Sequence, residues 1–375
     1  MTFLKNIKGY PEIPLIEIAT LKRGYDLPTQ NRADGNVPIF AANGQNGSHN
    51  EAKAFGPGVV TGRSGTIGKV HYVETDYWPL NTSLYVTNFH GNHPKWVFYM
   101  LQAFKLDRFV EGAGVPTLNR NLVHGEKIPL PPLVEQKRIA AILEKADNLR
   151  RKNQQAIQLA DQFLRAVFLD MFGDPVTNPK GWEVSELSKL CKKITDGTHH
   201  SPMITETGIP YITAKHLKKS GLEFYKAPWY ISPDSHKTIY ARCKPEKHDV
   251  LYIKDGATTG LAAINEYDFE FSMLSSLALL KPNRDLLLPE FLAMFLNHPR
   301  SKSMIIANMA GAAITRLTLA KIKDIQIPVP PIIMQKKFSL IYWNVRATLE
   351  KTCSCTIFSD NEFNSLSQKA FAGEL

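Results

Sequence analysis

At 375 residues and 43% hydrophobic side chains, the chain can hold two or three domains, each with its own core. No run of eighteen apolar residues exists and Met1-Thr-Phe-Leu-Lys5 leads into no apolar segment, so neither a membrane-spanning helix nor a signal peptide is expected. The net charge of +10 suits a polyanionic partner; residues 1–133 carry 13 basic and 10 acidic side chains and residues 173–332 carry 20 and 16, so the excess sits mainly in two globular segments and not in a basic tail.

In chain order, Ile13-Pro-Leu-Ile-Glu-Ile18 and Val37-Pro-Ile-Phe-Ala-Ala42 read as short apolar elements. Asn43-Gly-Gln-Asn-Gly-Ser-His49 follows as a polar loop. Val59-Val60 reads as a buried strand and leads into Gly62-Arg-Ser-Gly-Thr-Ile-Gly-Lys69. That segment is no P-loop: its glycine spacing is wrong, and Val70 stands where Ser or Thr should follow the lysine. Glu51-Ala-Lys53 has a nuclease-like Glu-x-Lys form but lacks the preceding Pro-Asp.

Ile128-Pro-Leu-Pro-Pro-Leu-Val-Glu-Gln-Lys137 then marks a boundary. From Val134 to Phe172 no proline or glycine intervenes, which predicts one long helix stopped by Gly173-Asp-Pro175. Ile139, Ile142, Ala146, Leu149, Ala156, Ala160, Phe163 and Val167 give a three-and-four spacing, the seam of a coiled coil. Asn153 falls on an a position, where a polar side chain fixes register and pairing.

The second half repeats this order. Trp182-Glu-Val-Ser-Glu-Leu187 resembles Ile13–Ile18, Ile209-Pro-Tyr-Ile-Thr-Ala214 resembles Val37–Ala42, and Asp249–Gly260 resembles Gly58–Gly68. At a constant offset of 199 residues, Gly112-Ala113 falls on Gly311-Ala312, Leu118 on Leu317 and Val123 on Ile322. Ile327-Pro-Val-Pro-Pro-Ile-Ile-Met-Gln-Lys336 is the decapeptide again. The chain is a duplicated globular domain plus helix; the period is too long for a solenoid. Phe338, Ile341, Val345, Thr348, Thr352 and Cys355 carry the second seam, and Phe371 aligns with Phe168 if a four-residue stutter is inserted. The two helices are expected to pair antiparallel.

Both glycine loops follow an apolar strand and offer a cation and hydroxyls: Arg63, Ser64, Thr66 and Lys69 in the first, Lys254, Thr258 and Thr259 in the second. Such loops can reach a DNA backbone or base edge, or can be plain hairpins. Asn43, Gln45 and Asn46, and Thr195, Thr198, His199 and His200, lie in polar loops that suit base contact and turn formation equally, and Lys215 is a further candidate. No His/Cys/Asp partner stands at ligand spacing from His199-His200, so no metal is expected. Asn178-Pro-Lys-Gly lacks the second proline and aromatic of an amino-methyltransferase motif, and no catalytic site is assigned. Cys191, Cys243, Cys353 and Cys355 read as reduced thiols of a cytoplasmic protein.

The two Ile-Pro-x-Pro-Pro-x-x-x-Gln-Lys boundaries, with Thr195-Asp-Gly-Thr-His-His-Ser-Pro202, Ile209-Pro-Tyr-Ile212, Arg63-x-Gly and Lys254-x-Gly-Ala-Thr, resemble the specificity (S) subunit of Type I restriction–modification systems over essentially the whole chain. The resemblance implies an α/β (mixed α+β) fold: two similar target recognition domains with curved sheets (residues 1–132 and 174–331), separated by two long antiparallel helices (133–173 and 332–375) forming a coiled coil. It implies that each domain reads one half of a bipartite, asymmetric double-stranded DNA site and that the helices set the spacer. Two methyltransferase (M) subunits, carrying S-adenosylmethionine, would dock through Glu135, Gln136, Arg138, Gln335 and Lys336. Restriction (R) subunits would bring ATP and Mg, and this chain itself would bind no cofactor and no membrane. A departure is Met334 at the place of Glu135, which implies a weaker or different M contact on that side. A nuclease or methyltransferase with an unrecognised site, or a coiled-coil scaffold without DNA, are the competing readings.

Overall fold

The computed structural model describes residues 6–111, 116–307 and 316–375, with the side chains of 353–357 outside the description. The Gly112-Ala113 and Gly311-Ala312 match and the thiols of Cys353 and Cys355 therefore lie outside the described residues. The chain divides into two compact units, residues 1–155 with 353–375, and residues 156–352.

The two units share one topology. In the first, Thr20–Arg23, Ser83–Asn88, Gly58–Gly62 and Val70–Val73 form an open antiparallel sheet in that order. In the second, Cys191–Asp196, Leu277–Pro282, Val250–Ile253 and Ala262–Ile264 repeat it. The central strands Gly58–Gly62 and Val250–Ile253 are buried throughout, as the apolar runs Val59-Val60 and Val250-Leu-Tyr-Ile253 predict. A three-stranded sheet accompanies each: Gly44–His49, Val37–Ala41 and Trp78–Pro79, against Tyr230–Ile231, Ile209–Ile212 and Ser272–Met273. The boundary prolines also pair alike, Glu12–Pro14 with Lys127–Pro129 and Val184–Glu186 with Gln326–Pro328.

Equivalent hydrogen bonds correct one sequence alignment. Leu15 N–H donates to Glu126 O and Leu187 N–H to Ile325 O, both at 2.9 Å, so Leu187 matches Leu15 and not Ile18. The alignment of Trp182–Leu187 was three residues out of step, and Trp182 matches Tyr10. Asn178-Pro-Lys-Gly-Trp182 is then the counterpart of Asn6-Ile-Lys-Gly-Tyr10. In each, the Asn carboxamide donates to the main chain four residues on and accepts from it. The segment that faintly resembled a methyltransferase motif is a side-chain clasp on a turn.

The long helices are Leu133–Phe172 and Ile332–Ala372, of 40 and 41 residues. Lengths this close leave no place for a four-residue stutter. Phe371 corresponds to Phe172 at the unchanged offset: Phe371 packs on Trp96 in the first unit, and Phe172 on Phe291 in the second. The seam is also rotated by about one position. Leu149 and Phe163, expected inside, are 49% and 51% exposed, whereas Leu143, Asp147, Leu164 and Phe168 are buried. One position turns a helix by about 100°, and a three-and-four pattern flanked by Ala and Leu admits both faces. Within the first unit the helix segments run antiparallel: Arg150 lies over Phe363 at 4.4 Å, and Asn153 Nδ2 donates to Ser359 Oγ at 3.4 Å. Within the second, Phe168 meets Phe338. Each core thus includes the start of one long helix and the end of the other: Ile139, Leu143, Phe363 and Phe371 in the first unit, Phe168, Phe172 and Phe338 in the second.

Candidate nucleic-acid interface

The polar candidates of the first unit gather where its strands end. Arg63 follows the strand Gly58–Gly62 and is pinned from both sides: its N–H donates to Thr82 O at 2.9 Å, and its carbonyl accepts from Leu118 N–H at 2.8 Å. Ser64 bridges to Thr117. The loop is a hairpin closed by Lys69, whose carbonyl accepts from Thr61 Oγ1 at 2.9 Å. Lys69 is exposed, while Arg63, Ser64 and Thr66 are half-buried. Among the described residues the Arg63 guanidinium has no hydrogen-bond or ion-pair partner. Asn43 is exposed at the turn after Val37–Ala41.

Gln45 and Asn46 do not lie in a loop. They are exposed on the edge strand Gly44–His49, and Arg32 Nη1 donates to both the carbonyl and the side-chain oxygen of Asn46, at 2.9 and 3.1 Å. The glycines that suggested a loop sit within a bulged hairpin, where sheet pairing overrode their turn propensity.

The second unit places its candidates on the equivalent strand ends. Lys254 repeats the backbone of Arg63: its N–H donates to Ser276 O at 2.9 Å, and its carbonyl accepts from Leu317 N–H at 2.8 Å. Its side chain, however, is not the free cation expected from the sequence. Lys254 is 2% exposed, with Nζ 3.0 Å from Asp255 Oδ2 and 3.6 Å from Asp196 Oδ2. Asp196 also accepts from Arg242 Nη2 at 2.8 Å and lies 3.4 Å from His199 Nε2. A buried ammonium needs counter-charges, and the two aspartates supply them.

Of the remaining candidates, His199, His200 and Thr258 are exposed, and Thr198 is half-buried in a turn with His200. Thr195 and Thr259 are buried, and Thr259 Oγ1 donates to Gly256 O at 2.7 Å. Lys215 lies 3.2 Å from the Trp229 ring centre, and burial lowers its ammonium pKa. Among the described residues no group of His, Cys, Asp and Glu is placed to hold a metal ion. His236 Nδ1 lies 3.0 Å from Ser272 Oγ and Nε2 3.5 Å from Glu270, but Ser272 is fully buried and closed to any substrate.

Sequence reasoning missed the residues just before a close approach that both units share. Gly24 and Gly197 occupy matching places; a Cβ would meet Leu80 O at 2.2 Å in one and Met273 O at 1.9 Å in the other. Arg23-Gly24-Tyr25 therefore matches Asp196-Gly197-Thr198. The legible signal was a charged residue before glycine at the end of the first sheet strand in both copies.

The helix starts correct a further expectation. Gln136 and Gln335, taken as partner contacts, are 2% and 0% exposed. Gln136 accepts from His93 N–H and donates to Asn92 Oδ1 and Pro131 O, all within 3.0 Å. Gln335 accepts from Leu288 N–H and donates to Leu286 O and Pro330 O, also within 3.0 Å. Each caps the helix that begins next to it, Pro94–Ala103 or Pro289–Asn297, and ties the proline boundary to it. Both amides are saturated, which explains why the glutamine recurs. Glu135 is held by Arg138 through two hydrogen bonds of 2.8 Å and by Lys8 at 3.3 Å; the Arg138 hydrogen bond foremost lowers its carboxyl to about 2. Arg138, Lys336 and Val134 are exposed, as is Ile333 at the place equivalent to Val134.

A model of the Type I restriction modification DNA specificity domain matches residues 7–159 and 179–352, once for each repeat. A Methanocaldococcus jannaschii chain assigned to the specificity subunit of the MjaX enzyme is 26% identical over 281 residues, covering 68% of this chain and 62% of its own length. The specificity subunit of the Type I restriction enzyme MjaIX of the same organism is 22% identical over 271 residues, covering 66% and 61%. The chain thus spans about three fifths of the length of these curated relatives. The crystal structure of an S subunit of a Type I restriction–modification system from M. genitalium superposes with a TM-score of 0.69 over 99% of both chains at 16% identity, a likeness of fold.

Proposed function

From the premise that this chain belongs to the family of Type I restriction–modification DNA specificity domains, we propose that it is the sequence-reading, non-catalytic subunit of such a complex. Each unit reads one half of a bipartite, asymmetric site in double-stranded DNA. Methyltransferase subunits using S-adenosylmethionine modify an adenine in each half, and restriction subunits using ATP and Mg join them, in the cytoplasm. The observation that carries this reading is the repeated architecture. Two units of one topology present different polar side chains at the same strand ends, as two independent readers of two different half-sites require. Residues 1–132 and 174–331 are the readers, and 133–173 and 332–375 the spacers. With Gln136 and Gln335 buried, the proposed methyltransferase contact rests on Glu135, Arg138, Lys336 and the exposed Val134 and Ile333.

The test is the methylated-adenine motif of cells with and without this gene. A bipartite motif that disappears on deletion is expected. A motif that persists, or methylation by the isolated chain, overturns the reading. The helices, about 60 Å long at ~1.5 Å per residue, set the unread spacer in this proposal. Four residues inserted near Asn153 should lengthen it by about one or two base pairs with both half-sites unchanged.

A further inference from the structure

The second unit has moved its outward cation. Arg316 pairs across from Asp255 in the strand-like bridge that Thr117 and Ser64 make in the first unit. Its side chain is 59% exposed, and Nε lies 3.2 Å from Asp255 Oδ1. The other oxygen of Asp255 accepts from Lys254, whose Nζ lies 3.6 Å from the buried Asp196. Asp196, Lys254, Asp255 and Arg316 therefore form a chain of alternating charge that runs from the interior to the surface. Each inner member is held by more than one opposite charge: Lys254 by Asp196 and Asp255, and Asp196 by Lys254 and Arg242.

The point of attachment decides what Arg316 can do. Asp255 Oδ1 approaches Arg316 at Nε as an ion pair without a hydrogen bond, and among the described residues the two terminal nitrogens make no hydrogen bond, so the edge they form is not engaged. That edge presents two parallel N–H groups, the pattern that matches O6 and N7 of guanine in the major groove. Arg242, the other exposed arginine of the cluster, is held through Nη2, so its fork is already engaged. Among the described residues beside Arg316, Gly256 and Ala257 of the facing loop are exposed and small.

We infer that Arg316 reads a guanine in the half-site of the second unit, with Asp255 as the positioning residue and Lys254 with Asp196 as the buried anchor behind it. This rests on the DNA-reading role proposed above. It assigns base contact to the strand opposite the glycine loop, where the first unit would use the loop itself.

The experiment uses the full chain assembled with its methyltransferase partner. Binding is measured on duplexes carrying every single-base change in the half-site of the second unit, alongside the methylated motif in cells. Arg316→Ala and Arg316→Lys should each lose discrimination at one guanine, by about ten- to hundredfold, with the other half-site unchanged. Arg316→Lys keeps the charge and should retain the salt dependence of binding. Asp255→Asn should loosen the same position. Uniform weakening on all duplexes would make Arg316 a phosphate contact, and an unchanged profile would make it no contact; either overturns the inference. A wild-type complex without preference for any bipartite duplex would instead overturn the DNA-reading role itself.

Discussion

Arg63 and Lys254 stand at one backbone position in two copies of one fold, bonded to the same neighbours by the same main-chain hydrogen bonds. One is a half-buried cation with no described partner; the other is a buried cation between two aspartates. The difference traces to two substitutions between the copies. Asp196 stands where the first unit has Arg23, and Asp255 where it has Ser64. A buried carboxylate draws the lysine inward, because an unpaired charge in the interior costs several kcal/mol. The scaffold is thus held constant while a few charges decide which side chain faces out.

The sharpest way to break this comparison is to remove each cation. Lys254→Ala removes the buried counter-charge of Asp196 and Asp255, which keep Arg242 and Arg316, and should destabilise the protein by about 1.5–3 kcal/mol, read as a lower denaturation midpoint. Arg63→Ala should leave that midpoint within about 0.5 kcal/mol of the parent. Equal midpoints would mean that the buried cluster contributes no net pairing. Comparable in size are the repeated glutamines. Gln136→Ala and Gln335→Ala each strand one N–H and two acceptor oxygens, and each should cost about 2–3 kcal/mol. Here the two halves should agree, because each glutamine accepts one N–H and fills two acceptors. A neutral variant on either side would show that water replaces the amide.

Arg63→Ala should then weaken DNA binding by the assembled complex by about 1–3 kcal/mol, either at one base of the first half-site or uniformly with a smaller salt slope. No change in either would leave the first glycine loop a structural hairpin alone. The smallest effect is the pH dependence at the Glu135 site, which has no carboxyl in the second copy. The Arg138 hydrogen bond foremost lowers Glu135 from 4.5 to about 2, so its stabilisation is complete above pH 4.5 and is lost as pH falls toward 2. Met334 at the matching site has no carboxyl to titrate. Glu135→Gln should therefore reduce stability at neutral pH and match the parent near pH 2, whereas Met334→Leu should show no pH-dependent difference. A constant gap between Glu135→Gln and parent across that range would remove Glu135 from the pH-dependent stability.

The duplication, its offset of 199 residues, the proline boundaries, the two long helices and the buried central strands were all legible in the residues alone. These follow from local chemistry: proline ends helices, uninterrupted helix formers extend them, and apolar runs bury. The positions of the glycine loops were legible for the same reason. Which face of the first long helix is buried depended on packing, because an alanine-rich three-and-four pattern admits two faces about 100° apart until a partner such as Phe363 or Phe338 occupies one. The tertiary structure alone showed that Gln136 and Gln335 are capping struts, since their partners His93 and Leu288 lie 43 and 47 residues away. And it alone turned Lys254 inward: Asp196 lies 58 positions upstream, and the Coulomb field that settles a charged side chain acts through space and not along the chain.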